Sequence, residues 1–303
     1  MNAEELPNKI FKVKKNLNAI ILAHNYQSQD IQRAADLVGD SLELALAARD
    51  TSADILIVCG VTFMAETAKI LNPGKRVFIP KIEAGCPLAD FLTPHQIEEE
   101  RRNHPDAAVV VYINSSAACK AAADIVCTSG NAVQVVRSLP HSRILFGPDS
   151  NLAGFVRKQL PDKEIIPIPA TGHCYVHQSF TNEDILKARK IGGKIIAHPE
   201  CTAPIQRAAD IVASTGKMIK IIEESEEETW HVFTEEGMIF RLKTLFPNKT
   251  FYSYENAVCK DMRMTTSVDL LQCLQNLIGE VTVEEDVLQK ARISLDLMLE
   301  ASL

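Results

Sequence analysis

Tyr112-Ile-Asn114, followed by Ala122-Ala-Asp124-Ile-Val-Cys127-Thr-Ser129-Gly130-Asn-Ala-Val133, is a phrase that the chain uses three times. Upstream it reads His24-Asn-Tyr26, then Ala34-Ala-Asp36-Leu-Val-Gly-Asp-Ser41-Leu-Glu-Leu44. Downstream it reads His198-Pro-Glu200, then Ala208-Ala-Asp210-Ile-Val-Ala-Ser-Thr215-Gly216-Lys-Met218. The recurring Asp sets the period, 124 − 36 = 88 and 210 − 124 = 86. A period this long marks one structural unit used three times. It exceeds the repeat of a solenoid, so each copy is read as a small domain.

Each copy alternates short apolar runs with helical patterns. In the first copy the runs are Ala19–His24, 36–38, Asp54–Cys59 and Arg76–Ile79, with helices near 28–35, from Ser41, and over Phe63–Leu71. The second copy has strands at Ala107–Tyr112, Asp124–Cys127, Arg143–Phe146 and Glu164–Ile168, with helices from Ser129 and over Leu152–Leu160. The third has strands at Lys194–His198, Asp210–Ala213, Thr229–Phe233 and Lys249–Tyr252. Continuous apolar strands alternating with helices imply parallel sheets covered on both faces. The expected fold is α/β, with three αβα domains related by a pseudo-threefold axis, each holding a short parallel four-stranded sheet. The expected domains are 18–105, 106–192 and 193–303. Helices near 93–103 and 181–190 join them, with Thr93 and Thr181 as N-caps. Helices at 267–279 and 283–300 close the third domain, and an N-terminal helix within 1–17 is expected to pack on it.

The cysteines keep the same period. Cys86, Cys174 and Cys259 follow their own repeat's Asp by 86 − 36 = 50, 174 − 124 = 50 and 259 − 210 = 49 residues. Each sits in a loop after a fourth strand. A pseudo-threefold would bring three such thiolates to one centre. Structural zinc usually takes four ligands and catalytic zinc favours His. Three thiolates suit a [4Fe–4S] cluster with one iron left open, which can act as a Lewis acid. Three buried structural cysteines are the alternative. Cys59, Cys119, Cys127, Cys201 and Cys273 lack the repeat position and read as small core residues.

Polar pairs run off the first strand of each copy: His24 with Tyr26, Tyr112 with Asn114, His198 with Glu200. Spaced by two, both members of a pair face the same way, and in open parallel sheets ligands bind beyond the carboxyl ends of the strands. Local hydrogen bonding could explain one such pair. Three at equivalent places indicate a site. Ser41, Ser129 and Thr215 each stand where a helix is expected to open, and free N–H groups there suit carboxylates or phosphates. Simple capping is the competing reading.

The 303-residue chain carries 46% hydrophobic and 23% charged residues, ordinary for a globular protein. A net charge of −7 argues against a nucleic-acid or anionic-membrane surface. No apolar run reaches about 18 residues, so no transmembrane span is expected. The polar, acidic start Met1-Asn-Ala-Glu-Glu-Leu6 does not read as a signal peptide. A cytoplasmic protein is therefore expected, and eight cysteines there point to metal rather than disulfides.

His24-Asn-Tyr-Gln27, Val38-Gly-Asp-Ser41, Gly172-His-Cys174-Tyr-Val-His177, His198-Pro-Glu-Cys201 and Ser214-Thr-Gly216 closely resemble the quinolinate synthase family, over residues 19 to 265. That resemblance implies three αβα domains about a pseudo-threefold axis and a [4Fe–4S] cluster on Cys86, Cys174 and Cys259. It implies condensation of iminoaspartate with dihydroxyacetone phosphate to quinolinate, with loss of phosphate and two waters, in NAD biosynthesis. It implies substrate contacts at His24, Ser41, Tyr112, Asn114, Ser129, His198, Glu200 and Thr215. His177, three residues after Cys174, reads as a substrate contact or as a group supporting the ligand loop. Tyr26 and Glu200 are the leading acid/base groups, aided by His24 and His198. Iminoaspartate would be handed over by an aspartate-oxidising or aspartate dehydrogenase enzyme. Another cluster-dependent hydro-lyase of small dicarboxylates would fit the same polar pairs. A cluster-based iron or oxygen sensor would need a partner surface, and no basic recognition motif occurs.

Overall fold

The computed structural model describes residues 5–302. The first four residues of the expected 1–17 helical segment lie outside them. Twelve strands form three four-stranded parallel sheets of identical order. The first uses α1 (Glu5–Asn16), β1 (Ala19–His24), α2 (Gln29–Ala34), β2 (Leu37–Gly39), α3 (Ser41–Asp50), β3 (Ile55–Cys59), α4 (Thr62–Leu71) and β4 (Arg76–Phe78), in strand order β2-β1-β3-β4. The second uses α5 (Pro94–Asn103), β5 (Ala108–Tyr112), α6 (Ala117–Ala122), β6 (Ile125–Cys127), α7 (Ala132–Ser138), β7 (Arg143–Gly147), α8 (Ser150–Gln159) and β8 (Glu164–Pro167), ordered β6-β5-β7-β8. The third follows α9 (Tyr175–Gln178) and uses α10 (Asn182–Ile191), β9 (Lys194–Ala197), α11 (Ala203–Ala208), β10 (Ile211–Val212), α12 (Thr215–Glu224), β11 (Thr229–Phe233), α13 (Gly237–Leu245) and β12 (Thr250–Tyr252), ordered β10-β9-β11-β12. α14 (Ser267–Asn276) and α15 (Glu285–Glu300) end the chain. No helix of the described residues is long and apolar enough to cross a membrane.

The recurring Asp has a structural task. In every repeat its carboxylate accepts from a backbone N–H of the first strand: Asp36 from Ile21 (2.8 Å), Asp124 from Val109 (2.7 Å), Asp210 from Ile195 (2.7 Å). The helix before that strand adds a cation: Lys14 on Asp36 (2.7 Å), Arg101 on Asp124 (3.1 Å), Arg189 on Asp210 (2.8 Å). Burial acts upward on the Asp210 carboxyl, but Arg189 and the Ile195 N–H outweigh it and hold it below the usual range. Replacing Asp124 by Ala strands the Val109 N–H inside the sheet. We expect about 1–3 kcal/mol of lost stability, read as a lower urea midpoint; an unchanged midpoint would remove the anchor role.

These anchors place the terminal helices. α1 stands before β1 as α5 stands before β5 and α10 before β9. Ile10 of α1 shares a core with Ile21, Ile57, Leu270 and Leu274. The N-terminal helix, expected on the third repeat, thus packs on the first sheet beside α14. Capping boxes Thr93/Gln96, Thr181/Asp184 and Thr266/Asp269 show that α14 is the third copy of the helix that follows each cysteine loop. At the position of Arg101 and Arg189 (101 − 93 = 189 − 181 = 8), α14 has the apolar Leu274 (266 + 8), so Lys14 supplies the cation instead.

The contacts divide the chain into two compact units. One holds the residues up to Cys86 with Cys259–Gln289; the other holds Pro87–Val258 with the residues from Lys290 on. The first contains sheet β1–β4 with α1 and α14, and the second contains sheets β5–β8 and β9–β12.

Candidate active site

In the second unit, the residue after β9 starts the site. His198 N–H donates to the Phe233 carbonyl (3.0 Å), and Cys201 N–H returns to the His198 carbonyl (3.0 Å), closing a turn around Glu200. Gln206 of α11 clamps this turn through the carbonyls of Pro199 and Cys201 (both 2.8 Å). The other repeats use the same device: Gln32 holds the carbonyls of Asn25 (3.0 Å) and Gln27 (2.9 Å), and the buried Lys120 holds that of Ser115. The clamps are spaced 120 − 32 = 88 and 206 − 120 = 86, the period of the whole chain.

Glu200 is 3% exposed. Its Oε1 accepts from Tyr112 Oη (2.5 Å), and its Oε2 lies 2.8 Å from His177 Nδ1 and 4.0 Å from His198 Nδ1. His177 Nε2 meets Thr234 Oγ1 (2.8 Å), and its ring stacks on His198 at 4.5 Å. His198 Nδ1 accepts from Glu200 N–H (3.3 Å) and its Nε2 faces Ser129 Oγ (3.2 Å). That leaves Nε2 as the ring nitrogen that faces the Ser129 hydroxyl. Burial acts upward on the Glu200 carboxyl. The charges of His177 and His198, with hydrogen bonds from His177 and Tyr112, outweigh it and hold the pKa at about 2.

A second buried carboxyl goes the other way. Burial and the Glu200 charge push Asp149 well above the usual range, against backbone N–H groups of Leu152, Cys174 and Asn151. One ionised and one neutral carboxyl in a single buried region is the pattern that separates base from acid. Asp149 also fixes the Cys174 loop, accepting from Cys174 N–H at 3.2 Å. Sequence reasoning missed it, together with Thr234. The signal would have been the word Gly147-Pro-Asp149-Ser150 running off β7.

Each cysteine loop hangs from the same backbone bond. Thr62 N–H donates to Ala84 (2.8 Å), Ser150 to Gly172 (2.8 Å) and Glu236 to Ala257 (2.7 Å), each acceptor two residues before its cysteine. Gly172 is required there, because a Cβ would lie 1.9 Å from the Pro148 carbonyl oxygen. Cys174, His177 and Glu200 offer donor atoms within 4.8 Å of one another.

The Thr128–Asn131 turn carries Ser129. Asn131 Oδ1 accepts from Thr128 N–H (2.6 Å) and Thr128 Oγ1 (3.1 Å), which delays α7 to Ala132. Ser129 therefore stands before the helix rather than opening it. Thr215 does open α12, with Ser214 at the N-cap, and Ser41 opens α3 behind an Asp40–Glu43 capping box. A Cβ on Gly130 would lie 3.2 Å from Ser214 Oγ, so the Ser129 turn rests against the start of α12. Asn114 is half-buried beyond the end of β5.

In the first unit, Tyr26 N–H donates to His24 Nδ1 (3.2 Å), the same turn as His198–Glu200, and the two rings meet edge-on at 4.5 Å. Gln27 Nε2 ties this turn to the Met262 carbonyl (2.8 Å), near Cys259. A Cβ on Gly85 would lie 3.9 Å from Asp261 Oδ1, so the Cys86 and Cys259 loops are neighbours. His24, Tyr26, Ser41, Cys86 and Cys259 belong to this unit. Tyr112, Asn114, Ser129, Cys174, His177, His198, Glu200 and Thr215 belong to the other.

None of the eight cysteines is in a disulfide, and Cys86, Cys174 and Cys259 are the three that are not fully buried. Burial pushes the thiols of Cys59, Cys127 and Cys201 far above their usual range, and that of Cys273 up to about 12. Burial favours the neutral thiol at those four, the setting of an unreactive core cysteine. The Cys86 and Cys259 loops in the first unit, and the Cys174 loop in the second, each keep a thiol that is not fully buried, the donor chemistry that an iron–sulfur group takes.

A family model described as "NadA: Quinolinate synthetase A protein" matches residues 8–300. The chain is 49% identical over 302 residues to a quinolinate synthase of Pyrococcus furiosus, covering 99% of each. It is 46% identical over 297 residues to one of Clostridium kluyveri, covering 97% of each. It is 44% identical over 308 residues to one of Methanocaldococcus jannaschii, covering 97% of this chain and 98% of the relative.

Proposed function

The chain belongs to the quinolinate synthetase A family and is an enzyme of the quinolinate synthase type in de novo NAD biosynthesis; on that premise we propose how its own residues divide the work. The substrates are iminoaspartate and dihydroxyacetone phosphate. Their atoms balance to quinolinate, one phosphate and two waters, with no net oxidation. Iminoaspartate is an imine prone to hydrolysis, so an enzyme that oxidises or dehydrogenates aspartate is the fitting donor.

Cys86, Cys174 and Cys259 would hold a [4Fe–4S] cluster as thiolates. When bound, the cluster supplies a Lewis acid at the iron that no thiolate takes. All other steps are proton transfers and positioning. Glu200, kept ionised in a dry setting, is the general base for carbon and imine protons. Tyr112 and His177 set the direction of its two oxygens. Tyr26 and His24 serve as acid/base partners, and His198 turns its Nε2 toward whatever oxygen lies beside Ser129. Ser129, Thr215 and the N–H groups at the start of α12 hold a carboxylate or phosphate. Ser41 does the same at the start of α3, and Asn114 orients the forming ring.

One observation carries this reading: a buried carboxylate, Glu200, held between His177 Nδ1 at 2.8 Å and Tyr112 Oη at 2.5 Å. The test is anaerobic incubation of cluster-loaded protein with both substrates, followed by chromatography of the product. Quinolinate and phosphate should appear in equal amounts. Turnover of a dicarboxylate without the triose phosphate would replace this reading with the hydro-lyase one.

A further inference from the structure

The second unit contains a cleft of about 800 Å³ beside the Glu200 cluster. Arg137 of α7, Lys158 of α8, Arg207 of α11 and Lys217 of α12 line it. We propose that this cleft collects the dianionic substrates and delivers them to Ser129, so that its four cations set the rate of capture. The inference rests on the functional reading above and adds residues that chemistry at Glu200 does not need.

Ser129 and Gly130 are part of the cleft wall. The Ser129 hydroxyl lies 3.2 Å from His198 Nε2, so an anion in the cleft is one side chain from the reacting groups. All four cations are exposed, and among the described residues none makes an ion pair. The one carboxylate in the wall, Asp210, is engaged by Arg189 and the Ile195 N–H. The cleft is therefore positive on a chain whose net charge is −7. Substrates of the chain's own sign are repelled elsewhere and drawn here.

A plainer account covers three of the four cations. Arg137, Lys158 and Arg207 stand in the last turns of their helices, where the dipole favours a positive charge. Lys217 does not fit it. It is the third residue of α12, in the first turn, where the dipole opposes a cation. A cation held against the dipole, in a cleft wall shared with three others and Ser129, is explained by an anion passing between them.

The test compares Lys217→Glu, Arg207→Glu and the double Arg137→Glu/Arg207→Glu with Lys12→Glu, an exposed reversal on α1 that changes net charge equally. Anaerobic kcat/KM for the triose phosphate is measured from low to high salt on loaded enzyme. Each single cleft reversal should lower kcat/KM about threefold or more at low salt, and the double about tenfold or more. Their salt dependence should flatten, while Lys12→Glu follows wild type. Phosphorus NMR titration with glycerol 3-phosphate, an unreactive analogue, should show weaker binding in the cleft variants alone. Cleft variants that track Lys12→Glu in both measurements would overturn the proposal. A wild type that fails to turn over the triose phosphate would instead remove the functional reading, and the analogue titration would still decide the cleft.

Discussion

Glu200→Gln should lower kcat by about three orders of magnitude, within the range lost with a general base, while leaving iron content and fold intact. The substitution is isosteric. An amide oxygen can still accept from Tyr112 Oη, now 2.5 Å from Oε1, so the packing around position 200 is kept. What goes is the charge. Because the carboxyl is held at about 2, wild type is ionised there throughout the physiological range. The sign for stability follows. A depressed carboxyl stabilises the fold fully above its unfolded pKa of about 4.5. That contribution fades as pH falls from there toward 2. Urea midpoints for wild type and Glu200→Gln should therefore differ most near neutrality and converge on acidification. Full turnover by the variant, with a normal cluster, would end the assignment of Glu200 as base. A midpoint gap that widens on acidification would contradict the ionised state.

Much of the fold was written in the repeated Asp, because that residue does one physical job three times. It supplies an acceptor to a backbone N–H of the first strand in every repeat. The periodic cysteines were legible for a similar reason: each loop hangs from the same backbone bond, accepted two residues before its cysteine. The place of the N-terminal helix was not legible. Its sequence shows amphipathic spacing but not which sheet it covers, and the decisive contact, Lys14 on Asp36, is a single ion pair across 36 − 14 = 22 residues. Asp149 was hidden for the opposite reason. Its counterparts in the other repeats are Val61 (149 − 88) and Glu235 (149 + 86), so the repeat gives it no pattern. Ser129 looked like a helix start because Ser41 and Thr215 are, whereas Asn131 takes the turn and moves the helix on.

Single replacement of Cys86, Cys174 or Cys259 by Ala should bring turnover below detection and iron well below about four per chain. Cys119→Ser should retain both. The contrast comes from exposure and chemistry rather than from number. Cys119 is fully buried and its thiol donates to the Leu92 carbonyl (3.2 Å), a bond that a serine hydroxyl can replace. Cys59, Cys127, Cys201 and Cys273 are held as thiols by burial. The three loop cysteines are half-exposed and stand on loops that each hang from a backbone hydrogen bond. Removing one leaves two protein ligands, too few to hold a cluster against chelation. Anaerobic reconstitution, iron and sulfide analysis and visible absorption on the four variants decide it. Iron lost equally on Cys119→Ser, or retained in any one of the three loop variants, would show that the thiolates at the repeat positions are not the ligand set, and the role of iron would have to move to the Cys174, His177 and Glu200 donors.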